Sequence, residues 1–129
     1  MKSPLRNLLL ALLILGASTT SYADDIVRLR MFFGLSLPSG GAVSLADWQS
    51  FQDNEIVNTF DGFNVVDSVG YYKGKPERSK IVTVIVESKD VPKAKELAAL
   101  YSKKFHQESV MIVKVPVLEW SFIGPDYEG

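Results

Sequence analysis

Residues 73–87 read KGKPERSKIVTVIVE, a run crowded with charge followed at once by one almost without it. The second half, IVTVIVE (residues 81–87), is apolar at successive positions and rich in β-branched residues, so neither side chain row is set aside for water. That pattern marks a strand covered on both faces, at the centre of a sheet. The first half, residues 73–80, reads as a charged hairpin loop leading into it.

Working outward, residues 26–35 (IVRLRMFFGL) alternate, with Leu29, Met31 and Phe33 on one side and Arg28, Arg30 and Phe32 on the other. This is strand period. LPSGG breaks the strand, and Ser44 opens SLADWQSFQDNEIV, in which Ser44 and Asp47 resemble a capping box. At 100° per residue Leu45, Trp48, Phe51 and Ile56 share one arc, which predicts an amphipathic helix. DGF then marks a turn, and residues 63–72 form a second strand. Beyond the central strand, Asp90 is placed to cap a second helix with Pro92 in its first turn. Val91, Ala94, Leu97, Ala98, Tyr101 and Phe105 make its apolar face. SVMIVKVPV (residues 109–117) is the last strand, and Pro116, lacking a ladder donor, assigns it to an edge.

The order is β-α-β-β-α-β, an α+β ferredoxin-like two-layer sandwich: a four-stranded antiparallel sheet with two helices on one face. Right-handed crossovers put the first and third strands in the centre. The second sheet face carries Phe32, one face of the third strand, and Val110 with Ile112 or their neighbours. An apolar face of that size calls for a cover. A homodimer packed face to face supplies one; the alternative is that the tail WSFIGPDYEG (residues 120–129) folds back. Arg28, Arg30 and Lys114 are expected to cluster on this face, against Asp67 or Glu119.

The amino terminus sets the compartment. MKSPLRN, the apolar LLLALLIL and the small-x-small ending SYA have the three-part layout of a secretory signal peptide, with cleavage after Ala23. Eight apolar residues fall short of the roughly 20 a membrane span needs. With no cysteine in the chain, neither a lipid-modified terminus nor a disulfide framework is available. The expected product is a periplasmic or secreted single domain, residues 24–129. Of the 14 basic residues Lys2 and Arg6 leave with the leader, so 12 face 15 acidic ones, a net charge of −3. That balance argues against nucleic acid as a partner.

The blocks MFFGLSLPSGGAVSLADWQSF, DGFNVVDSVGYY, ERSKIV and FHQESV together resemble a bacterial family of small exported proteins and lipoproteins of unknown function. The resemblance implies one α+β domain and an envelope location; it implies no activity. The chain departs from the pattern in having no lipoprotein cysteine, and in carrying His106 where glycine is usual.

In this topology the end of strand one, the amino terminus of the first helix, the end of strand two and the starts of strands three and four meet at one end of the sheet. Ser36, Gly40, Gly41, Tyr71, Glu77, Arg78, Ser79, Lys80, Gln107, Glu108 and Ser109 therefore form a polar rim. Arg78 and Lys80, with the N–H groups of the first helix, suit a carboxylate or phosphate, so a small anionic ligand is expected. Glu77 or Glu108 suits an acid or base. The plainer alternative is that Glu77, Arg78, Lys80 and Glu108 pair with one another and close loop ends. Gly pairs mostly mark turns. His106, the only histidine, suits the negative end of a helix dipole better than a metal or catalytic site. Tyr71, Tyr72 and Trp120 read as packing residues. No catalytic triad, phosphate loop or cofactor motif can be assembled, and no cofactor or metal is expected. Three function classes follow: a binding or accessory protein using the rim, a small enzyme of the dimeric α/β-barrel type acting on an organic anion, and a structural or interaction protein of the cell envelope.

Overall fold

The computed structural model describes residues 25–129; the expected signal peptide and its cleavage site after Ala23 lie outside the described residues. The elements follow the expected order: β1 (Ile26–Gly34), α1 (Leu45–Phe51), β2 (Asn64–Tyr72), β3 (Lys75–Glu87), α2 (Val91–Lys104) and β4 (Met111–Pro116). They build one antiparallel sheet in the order β2-β3-β1-β4. This is the α+β ferredoxin-like arrangement, with β1 and β3 central and the proline-bearing β4 at an edge. Among the described residues no helix is long and apolar enough to cross a membrane.

Alternation along β1 decides which face meets the helices. Val27, Leu29, Met31 and Phe33 are buried, and Met31 and Leu29 lie opposite Val82 and Val84 of β3. From the other layer come Trp48, Phe51, Ala94, Leu97 and Tyr101, all buried. Aromatic rings form the centre of this core: Phe33 sits 5.4 Å from Trp48 and 4.9 Å from Tyr101, and Phe51 sits 5.1 Å from Tyr101. Tilted and edge-on pairs of this kind add about 0.5–1.5 kcal/mol each beyond the area they bury.

The first helix is not ideal. After α1 it widens into a π-helical turn over Gln52–Ile56 and ends in one α turn, Val57–Thr59. The spacing of its apolar residues explains the widening. Phe51 and Ile56 are both fully buried yet five apart, which in a straight α-helix would set them about 140° apart. A wider turn swings Ile56 back onto the core. Ser44 does cap α1, its hydroxyl accepting the Asp47 N–H at 3.0 Å. Leu45, expected on the apolar arc, is instead 72 % exposed. It stands in the first turn, directly after the Ser44 cap.

The largest departure concerns the charged run. Residues 75–80, expected as loop, are strand. Only Lys73 and Gly74 make the turn, both at positive φ (50° and 79°), as a two-residue I′ hairpin requires. That twist suits the flanking strands, so pairing begins at once with Tyr72 opposite Lys75 and runs through Gly70–Glu77 to Asp67–Lys80. The β1 partnership ends at Gly34 opposite Ser79, so the hairpin overhangs the sheet.

Smaller corrections follow from register. Lys114 lies opposite Leu29, on the helix-side face, so it does not join Arg28 and Arg30. Val110 and Ile112 pack on the core, and their neighbours Met111, Val113 and Val115 take the open face. Asp67 lies opposite Lys80 and pairs with it, far from Arg28. Asp90 makes no side-chain cap but an ion pair with Lys93 at 3.2 Å. Tyr71 and Tyr72 are largely exposed, and Trp120 is half exposed; none of the three is core.

His106 stands at the end of α2 with φ of 53°, the left-handed conformation that favours glycine. Gln107 N–H reaches back to Ser102 O at 2.9 Å, closing a Schellman-type end. The unusual residue there is a helix stop.

Candidate functional site

The rim is built by three short pieces of chain. Strand β1 ends where Leu35 N–H bonds Arg78 O at 3.0 Å. The loop that follows doubles back on itself: Ser36 bridges Ala42, Leu37 N–H meets Gly41 O at 3.0 Å, and Val43 N–H meets Leu35 O at 2.7 Å. Gly40 and Gly41 sit at φ of 96° and 88° and make that reversal possible. Both glycines therefore act through the turn, and neither lines the clefts described below. The third piece follows α2, where the Gln107 side-chain amide donates to Ser36 O at 2.9 Å and to Phe105 O at 3.1 Å.

These pieces divide the rim into two clefts that share Ser36. The first, of about 160 Å³, lies on the helix side. Its walls are Leu35, Val43, Leu45 and Trp48, its polar groups Ser36, Ser44, Arg78 and Lys80. The exposed Leu45 thus finds a place as one wall. Lys80 is already engaged by Asp67. That contact, with the cation's charge and a lesser pull from Arg78, holds the Asp67 carboxyl below the usual carboxylate range. Among the described residues no carboxylate lies within 4 Å of the Arg78 guanidinium. The expected mutual pairing of Glu77, Arg78, Lys80 and Glu108 is therefore not made.

The second cleft, of about 380 Å³, opens beside the overhanging hairpin. Glu77, Gln107 and Glu108 meet Leu37, Pro38, Tyr72, Lys75 and Pro76 there. Alternation explains the split, since Arg78 and Lys80 share one face of β3 and Glu77 and Ser79 the other. Glu77 leans over Gly34. A β-carbon at Gly34 would stand 2.6 Å from Glu77 Oε1 and 3.5 Å from Gln107 Oε1. Beneath that glycine, Tyr101 donates its hydroxyl to Gly34 O at 2.6 Å. Burial, and then the Glu77 charge, push the Tyr101 pKa well above the ordinary tyrosine value.

Of the other expected residues, Ser79 lines a shallow cleft of about 170 Å³ with Leu35, Asp67 and Arg78. Tyr71 and Ser109 line none of these three clefts; Tyr72 takes the place expected of Tyr71. Sequence reasoning missed Asp67, Leu45 and Tyr101 as neighbours of the rim. Only the strand register and the crossing of α2 over β1 reveal them.

Among solved structures, a phage SAM lyase in its apo state is similar with a TM-score of 0.56 and 21 % identity, over 79 % of this chain and 92 % of that one. A phage SAM lyase in complex with S-methyl-5'-thioadenosine is similar with a TM-score of 0.50 and 19 % identity, over 85 % and 98 %. Likeness at this identity concerns the fold. No curated protein matches the chain. A family model described as "Protein of unknown function (DUF3574)" matches residues 28–122, nearly the whole of the sheet and both helices, and the chain belongs to that family.

Proposed function

We propose that this protein is an exported single-domain binding or accessory protein that takes a small organic anion in the helix-side cleft of the rim. The observation that carries the reading is Arg78: an exposed guanidinium with no carboxylate within 4 Å among the described residues, set beside an apolar wall of Leu35, Val43, Leu45 and Trp48. A planar fork of donors next to apolar surface suits a carboxylate or phosphate on an organic body. Export rests on the leader-like residues 1–23, and the domain on residues 24–129. Two copies associate through the open sheet face, which carries Phe32, Met111, Val113 and Val115.

A thermal-shift and calorimetric screen of small carboxylates and phosphates tests the site. Binding is expected for the wild type and lost in Arg78→Ala. An anion that binds both proteins equally overturns the assignment. Mass spectrometry of exported protein should show Asp24 as the first residue.

The Glu77 cluster favours a second reading, a small enzyme acting on an organic substrate. Glu77 lies over Gly34, whose carbonyl accepts from the buried Tyr101 hydroxyl, and Glu77 lines the larger cleft. The fold it shares with phage SAM lyases makes SAM and S-methyl-5'-thioadenosine the first probes. Turnover of SAM by the wild type and none by Glu77→Gln would replace the binding reading.

A further inference from the structure

The sheet face turned away from the helices carries an apolar row, Val66–Ile81–Phe32–Met111, running across all four strands, with Val66 and Met111 exposed, Phe32 half-buried and Ile81 buried between its neighbours. Arg28 and Arg30 stand beside it on the central strand β1, flanked by Ile85 and Val115, and by Thr83 and Val113. Neither arginine has a carboxylate within 4 Å among the described residues. Two such faces stacked directly would bring four guanidinium groups together in the middle of an apolar interface. Burying unpaired like charges in that way is unfavourable.

The carboxyl-terminal arm, residues 117–129, is the opposite in charge. It holds Glu119, Asp126 and Glu128 and no basic residue. None of these carboxylates lies within 4 Å of a cation among the described residues. The arm also holds Leu118, Phe122, Ile123 and Tyr127, and leaves all of them exposed, Leu118 at 99 % and Phe122 at 89 %. Its root is fixed: Val117 N–H bonds Ile26 O at 3.0 Å, and Trp120 lines a cleft with Ile26 and Ile85 at the end of the sheet opposite the rim. So the arm starts at the border of the open face without covering its own.

We propose that this arm docks on the open sheet face of a second copy of the chain, its acids against that copy's Arg28 and Arg30 and its aromatic and aliphatic side chains on the apolar row. This rests on the self-association stated above and adds what mediates it. Exchange of arms satisfies both charged sets at once, covers the apolar row, and leaves the rim clefts open at the far end.

Charge reversal tests the exchange without touching the core. A face variant carries Arg28→Glu and Arg30→Glu; an arm variant carries Glu119→Lys, Asp126→Lys and Glu128→Lys. Light scattering after gel filtration should find the wild type dimeric and each variant alone monomeric, with circular dichroism unchanged. Each of these pairs an arm and a face of like sign. Mixed in equal amounts, the two variants should form a heterodimer, because the acidic arm of the first meets the basic face of the second and the basic arm of the second meets the acidic face of the first. A monomeric wild type overturns self-association and the arm with it. A dimer that survives reversal of the arm overturns the arm and leaves self-association standing. Monomers that stay apart on mixing also overturn the exchange.

Discussion

Tyr101 donates its hydroxyl to the carbonyl oxygen of Gly34 across 2.6 Å, tying the last turn of α2 to the last residue of β1. The ring lies among Phe33, Trp48 and Phe51, so only the oxygen reaches the rim. One side chain thereby joins the aromatic core to the end of β1, where the rim begins. Removing the hydroxyl leaves a carbonyl short of a partner, and Tyr101→Phe should cost about 1–2 kcal/mol in denaturant unfolding.

The same residue gives the protein an alkaline limit. Its folded pKa is raised above the unfolded value of about 10. The folded state therefore holds a proton that the unfolded state gives up. This stabilisation is complete below about pH 10 and declines as pH climbs toward the folded value. Spectroscopic titration should show one tyrosine that ionises last, with unfolding. The Tyr101→Phe protein should lose that step.

Asp67 works in the other direction. Its pKa is held down by Lys80, so the contribution of the pair is present above the unfolded carboxylate value of about 3.9 and fades as pH falls through the folded one. Asp67 is solvent-facing, so the effect is small. Asp67→Asn should leave neutral-pH stability within about 1 kcal/mol, since exposed pairs contribute about that much at most. It should also free Lys80 for the helix-side cleft and tighten any anion bound there, readable as a lower Kd.

Arg78→Ala should move stability by less than about 1 kcal/mol, because the side chain is exposed and no carboxylate among the described residues lies within 4 Å of it. A loss of several kcal/mol in urea unfolding would mean that the guanidinium is a structural partner after all.

Gly34→Ala separates packing from chemistry. The added carbon would meet the tip of the flexible Glu77 side chain, which can swing aside, and the backbone there is ordinary strand. Stability should fall by no more than about 1 kcal/mol. Any activity that depends on Glu77 should fall far more, because the carboxylate leaves its place over Gly34.

Topology was readable because its signals repeat. Leu29, Met31 and Phe33 alternate against Arg28, Arg30 and Phe32, and one covered face is enough to impose that period. Residues 75–78 failed the same test for a physical reason. The overhang has no layer against either face, so nothing selects apolar residues at every second position, and a strand there looks like a loop. Leu45 shows the limit of ideal helical angles, which do not tell a core position from the wall of an open cleft. The Asp67–Lys80 pair and the Tyr101–Gly34 bond join residues 13 and 67 positions apart. Such contacts depend on register and crossing, which no local pattern encodes. Of the rim itself, the meeting of Ser36, Arg78, Lys80, Glu77 and Gln107 was legible from strand order alone, but its division into two clefts needed the alternation of β3.

The overhang has a consequence for how the molecule breathes. Residues 75–78 pair with β2 alone, whereas from Ser79 onward β3 has neighbours on both sides. Two-stranded ribbons are marginal by themselves. Amides at the tip of the hairpin should therefore exchange with deuterium through local fraying, while those around Val82 and Met31 wait for global unfolding. Arg78 sits at the boundary of these two regimes and is anchored by its own carbonyl to Leu35. A ligand gripped there should slow exchange along the ribbon, so protection of residues 69–78 becomes a gauge of occupancy that needs no knowledge of what the ligand is.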